Sequence, residues 1–164
     1  MNIQLALSRS FIVRVSLFTV IAAAVAFALA QDPAKQEDPL PPGSNQLIQP
    51  EELARALKGA GMPVVLYVGP KTFYAQAHIP GAENIGPVGR PEGMEKLRAR
   101  AASLAKDTPV VIYCGCCPWD HCPNIRPAYA ELKKAGFTNV RALYLENSFG
   151  TNWKDKGLPV ATGE

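Results

Sequence analysis

The sequence predicts an α/β fold with a mainly parallel central sheet flanked by helices. Three observations predict it. Two short runs, Pro63 to Val68 (PVVLYV) and Val110 to Tyr113 (VVIY), are apolar without polar alternation, the mark of strands covered on both faces. Segments with helical spacing of apolar residues separate such runs. Strands and helices alternate to the end without an internal repeat, and that alternation is what a parallel sheet with crossover helices requires.

The elements follow in order. Residues 1–30 read as a secretory signal: Arg9 and Arg14 supply positive charge, Val15 to Ala30 is apolar and uncharged, and Ala28-Leu29-Ala30 offers a small-residue cleavage site before Gln31. The apolar run is short for a full membrane span, so cleavage is favoured over an uncleaved anchor, and any membrane contact is expected through this segment alone. The expected location is therefore exported, periplasmic or extracellular after cleavage near Ala30. Residues 31–45 (QDPAKQEDPLPPGSN) read as a flexible, proline-rich lead, and 46–164 as one domain. Residues 46–49 (QLIQ) suit a short edge strand. Pro50 opens PEELARALKGAG, with acids in the first turn and glycines at the end, and predicts a helix over about 50–59.

After the strand PVVLYV, Phe73 and Tyr74 suit a short helix, His78 to Ala82 a turn, and Glu83 to Ile85 a short strand. Met94, Leu97, Ala101 and Leu104 mark a helix over 92–105. The strand Val110–Tyr113 then leads to a loop. A helix is expected over 127–135, with Pro127 at its first position and Gly136 past its end. Val140 to Leu145 reads as a further strand, and the tail as irregular or a short helical turn. The formal charge of +3 falls to +1 once the two signal arginines are removed, and nothing in that balance suggests nucleic acid or an anionic membrane surface as a partner.

All four cysteines fall within nine residues, as Cys114, Cys116, Cys117 and Cys122, with His121 among them. Cysteines crowded into one loop cannot staple distant parts of a fold, so they point to chemistry or metal binding. A buried strand that delivers a cysteine to a loop feeding a helix N-terminus is suited to making a thiolate, because backbone N–H groups and the helix dipole favour negative charge there.

Over 46–160 the sequence resembles a single rhodanese (sulfurtransferase) domain, an atypical one with an elongated, cysteine-rich active-site loop. The landmarks are the buried strand PVVLYV, then FYAQAHIPGAENI, DTPVVIYC, AYAELKKAGFTNVRAL, and a closing Trp153 with Gly157-Leu158-Pro159-Val160. The resemblance implies the rhodanese-like fold and sulfane-sulfur transfer through a persulfide on Cys114. It implies no cofactor, and as partners a small anionic donor such as thiosulfate, or a thiol or persulfide protein. Three departures stand out. Tyr67 and Gly69 occupy positions where the family commonly has an acid and an arginine. The glycine pair common before the terminal tryptophan is missing at Glu146-Asn147-Ser148. Cys114 and Arg126 lie twelve positions apart, where the family's usual cradle is of the type C-x-x-G-x-R.

Arg126, just before the expected helix, is the candidate to neutralise the donor or the persulfide; the alternative is a cap or a solvent-facing side chain. Gly115 is expected to let the chain turn close to the sulfur. The plainer reading of Cys114 is a small buried residue at a strand end. Cys116, Cys117 and Cys122 have three readings: resolution of a persulfide or sulfenate on Cys114 in a disulfide relay, zinc or copper binding together with His121, or a structural disulfide. Compartment and spacing favour disulfide or relay over metal. Trp119 either shields the sulfur or packs inward. Asp120 is expected to point away, because a nearby carboxylate raises a thiol pKa. His78 is read as bracing its turn, Tyr67, Phe73 and Tyr74 as core or pocket wall, and Lys71 and Arg90 as solvated or as entry charge.

Overall fold

The computed structural model describes Asp38 and residues 40–163; the expected signal and most of the expected lead lie outside the described residues. From residue 40 onward the elements are β1 (Leu47–Ile48), α1 (Pro50–Ala56), β2 (Val64–Tyr67), α2 (Lys71–Gln76), β3 (Glu83–Asn84), α3 (Pro91–Ala102), β4 (Val110–Tyr113), α4 (Ile125–Lys134), β5 (Val140–Leu143) and α5 (Phe149–Asn152). The strands form a parallel five-stranded sheet in the order β1-β5-β4-β2-β3. Among the described residues no helix is long and apolar enough to cross a membrane.

The unbroken apolar runs of β2 and β4 have the expected cause. Alternate residues of a strand face opposite sides, and here both sides are covered. Leu66, Val110, Ile112 and Ala142 face a core completed by Leu97 of α3 and by Ile125, Ala128, Tyr129 and Leu132 of α4. Val65, Tyr67, Val111, Tyr113 and Leu143 face the other, completed by Leu53 of α1, Tyr74 of α2, Phe149 and Trp153. Each fully buried large apolar side chain contributes about 1.5–3 kcal/mol. The four α4 residues recur at helical spacing and so form one stripe on the sheet.

Several boundaries moved. The helix expected over 50–59 ends at Ala56, where Lys58 N–H turns back to Arg55 O in a tighter turn ahead of Gly59 and Gly61. α3 ends at Ala102, three residues before the expected limit. α4 starts at Ile125, not Pro127, which places the proline third. Proline is accepted there because first-turn N–H groups have no intrahelical partner. At the far end Phe137 N–H donates to Leu132 O (3.1 Å) and closes the helix around Gly136. β5 is assigned to Leu143 only, although Tyr144 N–H still donates to Ile48 O across to β1. Leu40, within the expected lead, is fully buried in the core beside Leu97, so packing begins before residue 46.

Candidate active site

The cysteine loop leaves the sheet at the carboxyl end of β4, where ligands of parallel α/β sheets bind. Cys114 continues the inward alternation of Val110 and Ile112 and is 2% exposed. It lines a cavity of about 290 Å³, together with Tyr67, Phe73, Ala77, Phe149, Lys154 and Cys116. Gly115 then reverses the chain at a φ of +74°, a left-handed conformation that disfavours a side chain. A Cβ there would also lie 2.8 Å from Leu145 Cδ1 and 2.9 Å from Phe149 N, so the turn needs glycine twice over. Gly69 plays a different part: its missing side chain is the space that Tyr67 Oη and Cys114 Sγ use, since a Cβ would lie 2.5 Å and 2.8 Å from them.

The turn at Gly115 folds the thiols onto one another. Cys114 Sγ lies 3.1 Å from Cys116 Sγ, which lies 3.6 Å from Cys117 Sγ. All four cysteines are free. The buried amide of Asn124 links two elements: Nδ2 donates to Cys114 Sγ at 3.5 Å, and Oδ1 accepts from Gly89 N–H at 2.9 Å. Asn124 carried no role in the sequence reading; the available signal was an amide side chain immediately before a helix.

The α4 N-terminus serves Cys122, not Cys114. Cys122 accepts a hydrogen bond from the Cys114 thiol and from the backbone N–H groups of Asn124 and Ile125, and against its burial these bring it down to about 6. Cys116 is also brought down to about 6, first by the hydrogen bond from Cys114. Cys114, the donor in these contacts and buried as well, is held far above the ordinary thiol range. Burial, then the neighbouring Cys122 charge, pushes Cys117 up to about 12. One thiol hydrogen serves one acceptor at a time, so the sulfurs titrate as a set: the first proton leaves Cys116 or Cys122 easily, and Cys114 keeps its own. Cys116 thus gives up its proton more readily than Cys117. Limited iodoacetamide treatment at neutral pH, read by peptide mass, is expected to label Cys116 ahead of Cys117, with labelling falling off below a pH of about 6. Prior labelling of Cys117 would refute that charge distribution.

The remaining expected residues fall as follows. Arg126 Nη1 donates to Trp119 O at 3.2 Å, and its guanidinium lies 5.6 Å from the Trp119 ring centre; it is not on the cavity lining. Trp119 packs inward, 4% exposed and edge-on to Tyr144. Asp120 is exposed. His121 is exposed too and meets the cluster through its carbonyl, which accepts from Cys117 Sγ at 3.8 Å. Among the described residues no three His, Cys, Asp or Glu side chains converge as a metal site. His78 braces its turn: Nδ1 pairs with Tyr74 O at 2.8 Å, the ring stacks on Tyr74 at 3.8 Å, and its backbone bridges to Ala161. Lys71 and Arg90 lie off the cavity, and the cation on its wall is Lys154, from a tail that local pattern left unassigned.

The sequence matches the family described as Rhodanese-like domain over residues 49–149, more than half of the chain. The chain belongs to the rhodanese-like domain family. Three solved structures share the fold. The rhodanese-like domain of an Anabaena protein is 21% identical, with a TM-score of 0.54 over 73% of this chain and 80% of that one. A Bacillus halodurans protein is 22% identical, with a TM-score of 0.54 over 70% and 75%. A thiosulfate sulfurtransferase from Pseudomonas aeruginosa is 27% identical, with a TM-score of 0.52 over 72% of this chain and 19% of that longer one. Comparison with curated protein sequences found no match. In this rhodanese-like domain the residue that follows β4 is Cys114, and the loop behind it carries the other three cysteines.

Proposed function

We propose that the protein is an exported sulfurtransferase that carries sulfane sulfur as a persulfide on Cys114. The observation that carries this reading is that Cys114, its Sγ held by the Asn124 amide, lines a cavity whose lining includes Lys154. An anionic donor such as thiosulfate meets the lysine, the one basic side chain among the described residues of that lining. Cys114 attacks the outer sulfur of the donor; a new S–S bond forms, the donor's S–S bond breaks, and sulfite leaves with the electron pair. The Cys114 proton passes to Cys116 Sγ, a thiolate 3.1 Å away. A thiol or persulfide partner, or cyanide in the assay, then takes the outer sulfur from the persulfide.

Export rests on the signal-like segment ending at Ala30. The transfer chemistry needs no cofactor beyond the chain's own thiols. The test is sulfite release: thiosulfate added to the reduced full-length chain is expected to liberate about one sulfite per chain, the stoichiometry of a single covalent intermediate. Absence of sulfite would sink the proposal, and it is independent of where the retained sulfur goes next.

A further inference from the structure

We infer that Cys116 resolves the Cys114 persulfide, so that the domain releases hydrosulfide and stores the oxidation as a Cys114–Cys116 disulfide. The inference rests on the persulfide reading above and adds an activity to it: reduction of sulfane sulfur at the expense of a dithiol.

The geometry brings the reactants together. Cys116 Sγ stands 3.1 Å from Cys114 Sγ, within the distance of a near-attack arrangement. It is held there by the left-handed turn at Gly115, which Leu145 and Phe149 lock from behind. Asn124 Nδ2 holds Cys114 Sγ from another side. Cys114 and Cys116 line the same cavity, so a sulfur leaving Cys114 has open space beside it.

The step balances. Cys116 Sγ bonds to Cys114 Sγ; the bond from Cys114 Sγ to the outer sulfur breaks, and that sulfur departs with the electron pair and the Cys116 thiol proton as hydrosulfide. Two cysteine thiols are oxidised to one disulfide, and one sulfane sulfur is reduced to sulfide. An external dithiol resets the site. It attacks Cys116, the more exposed of the two sulfurs, expels the Cys114 thiolate and leaves as its own disulfide.

The experiment uses the full chain, reduced and then freed of reductant, with thiosulfate as the only added reagent. Sulfite and sulfide are measured together, and the protein is mapped by peptide mass. The expected result is equal sulfite and sulfide, and a peptide two hydrogens lighter with Cys114 and Cys116 joined. Dithiothreitol should then permit a second equal burst. Sulfite without sulfide, on a chain heavier by one sulfur atom, overturns the inference and leaves the persulfide reading standing. A bridge mapped to Cys114 and Cys122 overturns the assignment to Cys116. No sulfite overturns both readings. Cys116→Ser also removes the group that takes the Cys114 proton, so its sulfite release should slow as well, and the expected readout is the ratio of sulfide to sulfite, down at least tenfold; the mapping of the parent chain decides the matter even if that variant folds poorly.

Discussion

Cys114→Ser is expected to cut sulfite release from thiosulfate by about a thousandfold or more, to the uncatalysed background. The substitution preserves shape in a site with no room to spare. What it removes is the nucleophile: a serine hydroxyl has no base there able to ionise it, and Cys116, which can take a proton from a thiol, is far too weak a base for an alcohol. Cys116 is itself a nearby thiolate, so the prediction is a sharp one: it asserts that Cys116 cannot replace Cys114 in attacking the donor. The Asn124 amide is aimed at the Cys114 sulfur, and the Gly115 turn points Cys116 at Cys114. Cys117→Ser is the matched comparison: Cys117 lies off the cavity lining and touches the site only through its 3.6 Å contact with Cys116 Sγ, so its rate should fall by less than about tenfold. Steady-state sulfite release with a dithiol present measures both. A Cys114→Ser rate within about tenfold of the parent would place the nucleophile elsewhere.

The second large effect is on stability. Trp153 is fully buried, stacks on Phe149 at 6.0 Å, and donates from Nε1 to Pro159 O at 2.8 Å. Trp153→Ala removes the largest side chain of the core that faces α1 and α2, and should cost about 3–5 kcal/mol. Domains of this size hold only roughly 5–15 kcal/mol in total. Trp153→Phe keeps most of the packing and loses the hydrogen bond, for a cost nearer 1–2 kcal/mol. Denaturant unfolding of the full chain reads both. A loss under about 1 kcal/mol for the alanine variant would mean the tail is not integral to that core. Phe149 also walls the cavity, so the alanine variant should lose activity before it loses its fold.

The sheet was legible because β2 and β4 are buried on both faces, and an uninterrupted VVLY or VVIY has few other ways to be used. The position of Cys114 was legible for the same reason: it is the first residue after such a run. The partition of charge among the thiols was not. Placing the start of α4 at Pro127 leaves Asn124 and Ile125 in the loop, and those two residues supply the N–H groups that hold Cys122. A two-residue shift thus decides which sulfur the helix serves. Arg126 was ambiguous because the long loop between it and Cys114 leaves its direction undetermined, and its contact with Trp119 is tertiary. Lys154 was invisible because nothing local says that the tail returns to α2. That return depends on the pairing of His78 with Ala161, eighty-three positions apart.

This pairing bears on how the protein can be handled. Ala161 is bridged to His78, and Gly163 N–H donates to Ala75 O, so the final residues are sewn along α2, which supplies Phe73 and Gln76 to one cavity wall. Lys154, also on the lining, lies seven positions before Ala161. An affinity tag fused close behind Gly163, or a fusion that trims back to Pro159, therefore disturbs contacts made to the segment that carries two of the cavity's lining residues. Comparisons of activity between preparations hold only where that end of the chain is the same.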